Sequence, residues 1–406
     1  MECRICSNKN PIKFLSFGQI PLANSFLSKE ELIQNEEKYP LDVFFCNNCT
    51  LVQLGYVVPS ETMFKKYLYL SSTTDTFRQH FTKMAEHISE EFKYNDKSLA
   101  VDIGSNDGIL LSGFKKIGIR VIGVEPAENI ARVANEKGIF TINDFFNENT
   151  VKIIIQSYGH ADIVTATNVF GHVNNIKEFI ENVKHLLGKN GIFVIEIQYL
   201  VDTIEKMTFD NIYHEHLSYF SLTSLNFFFQ NHEMEIFKVE RVETHGGSLR
   251  VFAKKKDWEY KIHNSVKKIL EHEKKIRIDN YKIYKEFAER VNNIRVLLRD
   301  KIISLKSDSK LLAGYGAPAK CNTLLNFCQI DNKYIEYIID DNPLKIGLFT
   351  PGTHIPVVSS AYLDEKIPDY LIIFAWNFAA EIMAKTKKYA EAGVKFIIPL
   401  PQPTVL

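Results

Sequence analysis

Leu99-Ala100-Val101-Asp102-Ile103-Gly104-Ser105-Asn106-Asp107-Gly108 reads as a buried strand that runs into a glycine turn. Asp102 is its one polar strand residue, as expected of a parallel strand covered on both faces. The turn opens a helix at Ile109. A second strand, Val121-Ile122-Gly123-Val124-Glu125, follows and ends in a carboxylate. Together they form a βαβ unit with Glu125 placed to take two ribose hydroxyls. The turn decides between ligands. A dinucleotide site offers bare amides at the helix N-terminus to hold pyrophosphate. Here Asp102 and Asp107 put negative charge in that place. They repel phosphate and suit a ligand with an ammonium and a sulfonium, namely S-adenosylmethionine.

The alternation continues downstream. Asp162-Ile163-Val164-Thr165-Ala166-Thr167-Asn168-Val169 reads as the fourth strand, followed by Phe170-Gly171-His172-Val173, and Ile192-Phe193-Val194-Ile195-Glu196 as the fifth. Open α/β sheets bind ligands outside the carboxyl ends of their strands, where Asn168, His172, Glu196 and Gln198 fall. Next comes Asn211-Ile212-Tyr213-His214-Glu215-His216-Leu217-Ser218-Tyr219-Phe220. If extended, it sends His214 and His216 to one face and Tyr213 and Glu215 to the other. If bent, it can line one pocket with all four. A half-buried strand and an acid/base centre both fit the residues; the position after the fifth strand of such a fold favours the latter.

Four of the six cysteines are paired by spacing, Cys3-x-x-Cys6 and Cys46-x-x-Cys49. In a reducing compartment this points to a metal, and four thiolates close the coordination sphere of a structural zinc. Cys321 and Cys328 lack a second pair and read as buried thiols. Leu51-Val52-Gln53-Leu54 is an expected strand. Tyr67-Leu68-Tyr69-Leu70-Ser71-Ser72-Thr73-Thr74 reads as an extended piece with a hydroxyl-bearing face, either core or ligand lining, and a helix is expected from Asp75 to Phe92. From 258 to 309 there is no Gly or Pro, and apolar residues recur at helical spacing, which predicts one or two long helices. Leu311-Leu312-Ala313-Gly314-Tyr315-Gly316-Ala317-Pro318-Ala319-Lys320 then repeats strand, glycine turn and helix. Further strands are expected at 335–341, 370–377 and 395–399. This second turn carries Lys320 and no acid within it, so it can hold a phosphate or pyrophosphate.

At 406 residues the chain exceeds one ordinary core. We divide it into a zinc-binding domain (1–74), a methyl-donor domain (75–257), and a helical linker with a C-terminal α/β domain (258–406). Lys+Arg 49 against Asp+Glu 49 leaves no net charge, which argues against nucleic acid or an anionic membrane as partner. No signal segment or membrane-spanning run is visible, so a cytoplasmic location is expected. A monomer and a homodimer both remain open.

The motifs in this order resemble the S-adenosylmethionine-dependent C-methyltransferases of nucleotide-linked deoxysugars, over essentially the whole chain. The likeness rests on the four cysteines, on residues 101–108 and 213–220, on Gly314-Tyr315-Gly316-Ala317-Pro318-Ala319-Lys320, on Asp340-Asp341-Asn342-Pro343 and on Pro351-Gly352-Thr353. It implies a zinc domain, a Rossmann-like methyltransferase domain and a second Rossmann-like α/β domain enclosing a nucleotide-linked keto-deoxysugar. By the same resemblance His216 is the base, Glu215 orients an imidazole or handles the enol proton, and Tyr213 donates to the enol oxygen. His172 and one of Tyr67 or Tyr69 complete the pocket. The donor would meet Asp102, Gly104, Ser105, Asn106, Asp107, Gly108, Glu125, Asp144 and Asn168. The sugar nucleotide would meet Gly314, Gly316, Ala317, Lys320 and Asn377. O-methylation of a sugar or small hydroxy compound is a rival reading. A zinc-dependent module that binds nucleic acid or protein is another, against which the balanced charge and acidic donor loop argue.

Overall fold

The computed structural model describes residues 1–59, 62–63, 72 and 75–406. Its strands are β1 (Ile12–Ile20), β2 (Tyr39–Phe45), β3 (Val52–Leu54), β4 (Leu99–Ile103), β5 (Arg120–Val124), β6 (Thr141–Ile142), β7 (Ala161–Thr167), β8 (Leu187–Gln198), β9 (Ser218–Tyr219), β10 (Met234–Val242), β11 (Ser248–Lys255), β12 (Leu312–Tyr315), β13 (Ile338–Ile339), β14 (Val357–Val358), β15 (Tyr370–Ile373), β16 (Lys395–Ile398) and β17 (Thr404–Val405). They form three sheets.

The central sheet has the order β10-β11-β8-β7-β4-β5-β6. Strands β6, β5, β4, β7 and β8 run parallel, and β11 and β10 close one edge antiparallel. All of β4 is buried, in keeping with its apolar run. The chain leaves β4 towards β5 on one side and reaches β7 on the other, so the sheet's switch point lies at the carboxyl end of β4. The helix expected at the front of this unit spans Asp75–Phe92. The C-terminal sheet, β14-β13-β12-β15-β16-β17, is parallel except for β17.

The N-terminal sheet holds a feature not visible in the sequence. Its fourth strand is β9, which pairs antiparallel with β3 through Val52↔Tyr219 and Gln53↔Ser218. The histidine-rich stretch is therefore not one strand. A 3-10 turn (Phe209–Asn211) and a second turn, closed by the His216 amide on the Tyr213 carbonyl at 2.9 Å, precede β9.

The 258–309 stretch folds as two helices, Asn264–Lys275 and Tyr281–Ser307. The second buries Tyr284, Phe287, Val291, Ile294, Leu298 and Ile302, a stripe at helical spacing. Tyr284 stacks on Phe45 of β2 at 4.4 Å between ring centres, and Phe17 of β1 lies 4.6 Å from Phe327. Each fully buried large apolar side chain contributes roughly 1.5–3 kcal/mol. The zinc-bearing sheet and the C-terminal sheet are thus packed on one continuous core. No helix among the described residues is long and apolar enough to cross a membrane.

Candidate active site

A cavity of about 900 Å³ lies at the carboxyl ends of both parallel sheets, with Asn24 of the N-terminal part on its wall. On the β4 side, Gly104 turns the chain with φ +63°, and a Cβ there would meet Val169 Cγ2 at 2.5 Å. Glu125, at the end of β5, is buried and accepts from the Asn106 amide (2.9 Å) and the Ala127 amide (2.9 Å). The amide that a pyrophosphate would need is thereby given to a carboxylate. Each carboxylate oxygen keeps a second lone pair for a hydroxyl donor. Asp102 also lines the cavity; it accepts from Thr165 Oγ1 at 2.6 Å, and burial pushes its carboxyl up to about 7. Ser105 and Asn168 complete this wall.

Two imidazoles and a phenol meet beside it. The His172 and His216 rings lie 5.0 Å apart, 24° from parallel, and the Tyr213 ring is 3.9 Å from that of His216. All three line the cavity. The Asn211 carbonyl is 2.7 Å from His216 Nδ1 and can only accept, so Nδ1 carries the proton and the neutral ring has its lone pair on Nε2. Burial pushes the His172 imidazole down to about 4, which keeps it neutral near pH 7. His214 turns the other way. Its Nε2 faces the Tyr39 carbonyl at 3.3 Å, and burial lowers it to about 4. The bend at 213–216 thus separates the two histidines that an extended strand would have put on one face.

The opposite wall comes from the C-terminal sheet. Gly316 has φ +85°, and a Cβ there would meet Ala375 Cβ at 2.6 Å. Lys320 is buried in the first turn of helix Ala319–Cys328 and lines the cavity. Its Nζ has no hydrogen-bond partner among the described residues; it lies 4.8 Å from the centre of the Trp376 ring. Burial lowers its affinity for a proton, and the nearby Asp210 carboxylate opposes that shift. Asn377 stands on the same wall.

Several expected residues lie elsewhere. Asp107 does not reach the cavity lining: Lys137 Nζ donates to it at 2.8 Å and Ser72 donates as well, so its charge is neutralised behind the turn. Gly108 sits at φ +77° against Ile139, and Asp144 accepts from the Phe145 amide at 2.7 Å, both off the lining. Glu215 points away too and accepts from Asn24 Nδ2 at 2.6 Å. Gly314 is inside β12, and Ala317 gives its amide to Asp340 at 2.8 Å; neither lines the cavity. Glu196 lies two residues short of Gln198, under His80 of helix Asp75–Phe92. Burial alone would raise it, but the His80 hydrogen bond and the Arg250 charge bring it down to about 2. Tyr67 and Tyr69 lie outside the described residues.

The cavity also holds residues not singled out from the sequence as site residues, among them Asn24, Phe145, Phe146, Lys345 and Lys385. Lys345 donates to the Ala317 carbonyl at 2.8 Å, and Lys385 donates to Asp341 at 2.7 Å. The Asp340-Asp341-Asn342-Pro343 motif was the signal for this corner. Nothing in the sequence placed Asn24 there.

The four cysteines form a separate cluster. Cys3 and Cys49 sulfurs are 3.4 Å apart, Cys6 and Cys46 sulfurs 3.5 Å, and all four lie within 4.8 Å of one another. A tetrahedron of Zn–S bonds of about 2.3 Å has edges of about 3.8 Å, so the donor set fits zinc. The two knuckles share one geometry. Ser7 and Thr50, each four residues after the first cysteine of a pair, have φ of 58° and 62°, and their amides close on the Cys3 and Cys46 carbonyls at 2.9 and 2.8 Å.

Comparison with known proteins matches three family models. These are "Putative zinc binding domain" (residues 3–64), "Methyltransferase domain" (76–239) and "C-methyltransferase C-terminal domain" (243–401). The chain is 36% identical over 405 residues to the C-methyltransferase NovU of Streptomyces niveus, covering 100% of this chain and 96% of that protein. A ubiquinone biosynthesis O-methyltransferase of Rhodopseudomonas palustris (strain HaA2) is 33% identical over 115 residues, 26% of this chain and 44% of that one. Among solved structures, magnesium protoporphyrin IX methyltransferase of Synechocystis PCC 6803 with bound SAM aligns at 13% identity and TM-score 0.33, over 43% of this chain and 78% of that one, a likeness too slight to build on.

Proposed function

The chain belongs to the S-adenosylmethionine-dependent C-methyltransferase family, and from that premise we propose that it methylates a carbon of a nucleoside-diphosphate-linked keto-deoxysugar. In this reading residues 1–74 carry the structural zinc, 75–257 hold the methyl donor, and 258–406 help to hold the sugar nucleotide. The observation that carries it is the position of His216. Its ring lines the same cavity as the buried Asp102 and Glu125 carboxylates and the buried Lys320 ammonium, and its Nδ1–H is fixed on a backbone carbonyl.

Carbon becomes a nucleophile here when the proton next to the ketone is removed. His216 takes that proton on Nε2; the Asn211 carbonyl on Nδ1–H then stabilises the imidazolium. The electron pair of the broken C–H bond passes into the enolate, whose oxygen is stabilised by the Tyr213 hydroxyl and neutral His172. S-adenosylmethionine supplies, when bound, an electrophilic methyl on a cationic sulfonium. Asp102 and Glu125 would hold the donor's cationic and ribose groups. As the enolate pair forms the new C–CH₃ bond at a carbon held in line, the S–CH₃ bond breaks and its electron pair leaves on the sulfur of neutral S-adenosylhomocysteine. The abstracted proton stays on His216 until solvent takes it. The Ala317 amide of the second turn is taken by Asp340, so it is the Lys320 ammonium that would receive the diphosphate. Glu215 acts indirectly, by fixing Asn24 on the cavity wall.

The test is incubation with keto-deoxysugars carrying different nucleotides, with the methyl located by ¹³C NMR. A methyl on oxygen, or turnover of sugars lacking the ketone, overturns the proposal. His216→Asn is expected to lower turnover by about 10³-fold while donor affinity measured by calorimetry stays unchanged. Full activity in that variant removes His216 as the base.

A further inference from the structure

Arg4 lies inside the first cysteine knuckle, between Cys3 and Cys6. Its side chain does not face the metal cluster. Nη1 donates to the Leu54 carbonyl (3.0 Å) and the Leu217 carbonyl (3.1 Å), and Nε donates to Asn174 Oδ1 (3.3 Å). The root of the side chain is held too. The Arg4 amide donates to Gln53 Oε1 at 2.9 Å, and Gln53 donates back to the Glu2 carbonyl at 3.0 Å.

These acceptors are remote from one another in sequence, yet they border one place. Leu217 follows His216 directly. Asn174 lies two residues past His172 and lines the cavity. Strand β3 meets β9 at the same point, where the Leu54 amide donates to the Leu217 carbonyl at 2.9 Å. One planar guanidinium therefore spans the loop that carries His172 and the turn that carries His216. A fixed fork of donors can do this; a lysine ammonium, a single point of charge on a flexible stem, cannot reach the same three oxygens with the same geometry.

We propose that Arg4 is a positioning residue of the acid/base centre, through which the four-cysteine knuckle sets the spacing of the His172 and His216 rings. The zinc site then has a second consequence besides folding its own domain: it fixes the backbone from which Arg4 projects. This inference rests on His216 being the base.

The test uses the full chain labelled with ¹⁵N-histidine, as wild type, Arg4→Lys and Arg4→Ala. Long-range ¹H–¹⁵N spectra report which nitrogen of each imidazole is protonated and need no acceptor. In both variants the zinc-to-protein ratio and the donor affinity are expected to match wild type. The His216 signal is expected to change from a single Nδ1-protonated form to a mixture of forms, with kcat for the keto-deoxysugar nucleotide about 10–100-fold lower. Lysine is expected not to rescue. Unchanged His172 and His216 signals in either variant, an unfolded Arg4→Lys protein, or a loss of turnover that only tracks zinc content overturns the proposal. Failure of the base assignment shows separately, as an active His216→Asn enzyme, whatever the Arg4 spectra show.

Discussion

The two glycine turns of this chain are built in the same register and differ in what they do with charge. Ile103 pairs with Val124 and Tyr315 with Ile339, so Gly104 corresponds to Gly316 and Glu125 to Asp340. Both glycines have positive φ, and their amides donate to the Val124 and Ile339 carbonyls at 2.8 and 2.7 Å. Both acids reach back to an amide of the turn, Glu125 to Asn106 and Asp340 to Ala317, and forward to the amide two residues on. The second turn has no acid within it, as its sequence reads; Asp340 reaches it from the end of the next strand. The contrast lies in the charged side chains around each turn. The first turn's own acid, Asp107, is capped by Lys137, and the first wall shows Asp102 and Glu125 to the cavity. The second shows charges of both signs: Lys345 pairs with Asp340 at 3.7 Å and Lys385 with Asp341 at 2.7 Å, while Lys320 is buried with no hydrogen-bond partner among the described residues. On the proposed reading the first wall takes the cationic donor, and Lys320 is the cation of the second left over for an anion.

The strongest way to break this division is to exchange the matching acids for alanine. Glu125→Ala strands two amides and removes the hydroxyl acceptor, so donor affinity by calorimetry is expected to fall by about 100-fold, some 2.7 kcal/mol. Asp340→Ala is expected to leave donor affinity within twofold and to raise the acceptor KM. Equal loss of donor binding in the two variants would show that the cavity is not divided between ligands.

Lys320→Met sharpens the other half. It deletes the ammonium and keeps most of the apolar stem over Trp376. The acceptor KM is expected to rise by about 10–100-fold, because a charge-assisted contact contributes roughly 1.5–3 kcal/mol. The change also takes the nearby ammonium from the buried Asp210 carboxylate, which keeps its hydrogen bond from Trp376 Nε1 at 2.6 Å, so a lower melting temperature is expected beside the KM effect. An unaltered acceptor KM would remove Lys320 from the diphosphate site.

What the sequence revealed about these walls follows from how local each signal is. Glu125 and Lys320 were legible because strand ends and first helical turns have fixed directions once the βαβ pattern is recognised. Asp107 was misplaced for the opposite reason. It follows Asn106, which has φ 49°, and within such a turn one residue's step can send a side chain to either side. Glu196 shares a strand face with Gln198, but a rise of about 6.6 Å over two residues takes it out of the cavity and under helix Asp75–Phe92. The pairing of Ser218 and Tyr219 with β3 depends on partners more than 160 residues away in sequence, beyond any periodicity, and it leaves room for the local turn at 213–216 in place of a continuous strand. The same distance hid Asn24 beside Glu215 and the Arg4 contacts with Asn174 and Leu217. The cysteine spacing, by contrast, is a local code for a metal, and the clustered sulfurs agree with it.

The smallest expected effect is also the one that separates the walls by sign. Burial raises the Asp102 carboxyl to about 7, against the donation from Thr165. A raised carboxylate is protonated in the folded chain and ionised in the unfolded one between its ordinary range and that value. Its contribution to stability therefore falls as pH rises through this window. Donor binding runs the other way. A cationic ligand favours the ionised form, so its affinity is expected to grow with pH until Asp102 is ionised in the free protein. With ionisation centred near 7, the ionised fraction changes about tenfold between pH 6 and pH 8, and the dissociation constant should improve by the same factor. Asp102→Asn keeps the size and the Thr165 contact but cannot ionise. It is expected to bind the donor more weakly and to lose the slope. A donor affinity in the wild type that is flat from pH 6 to pH 8 would detach Asp102 from the donor's positive charge and leave the buried Glu125 to meet the donor.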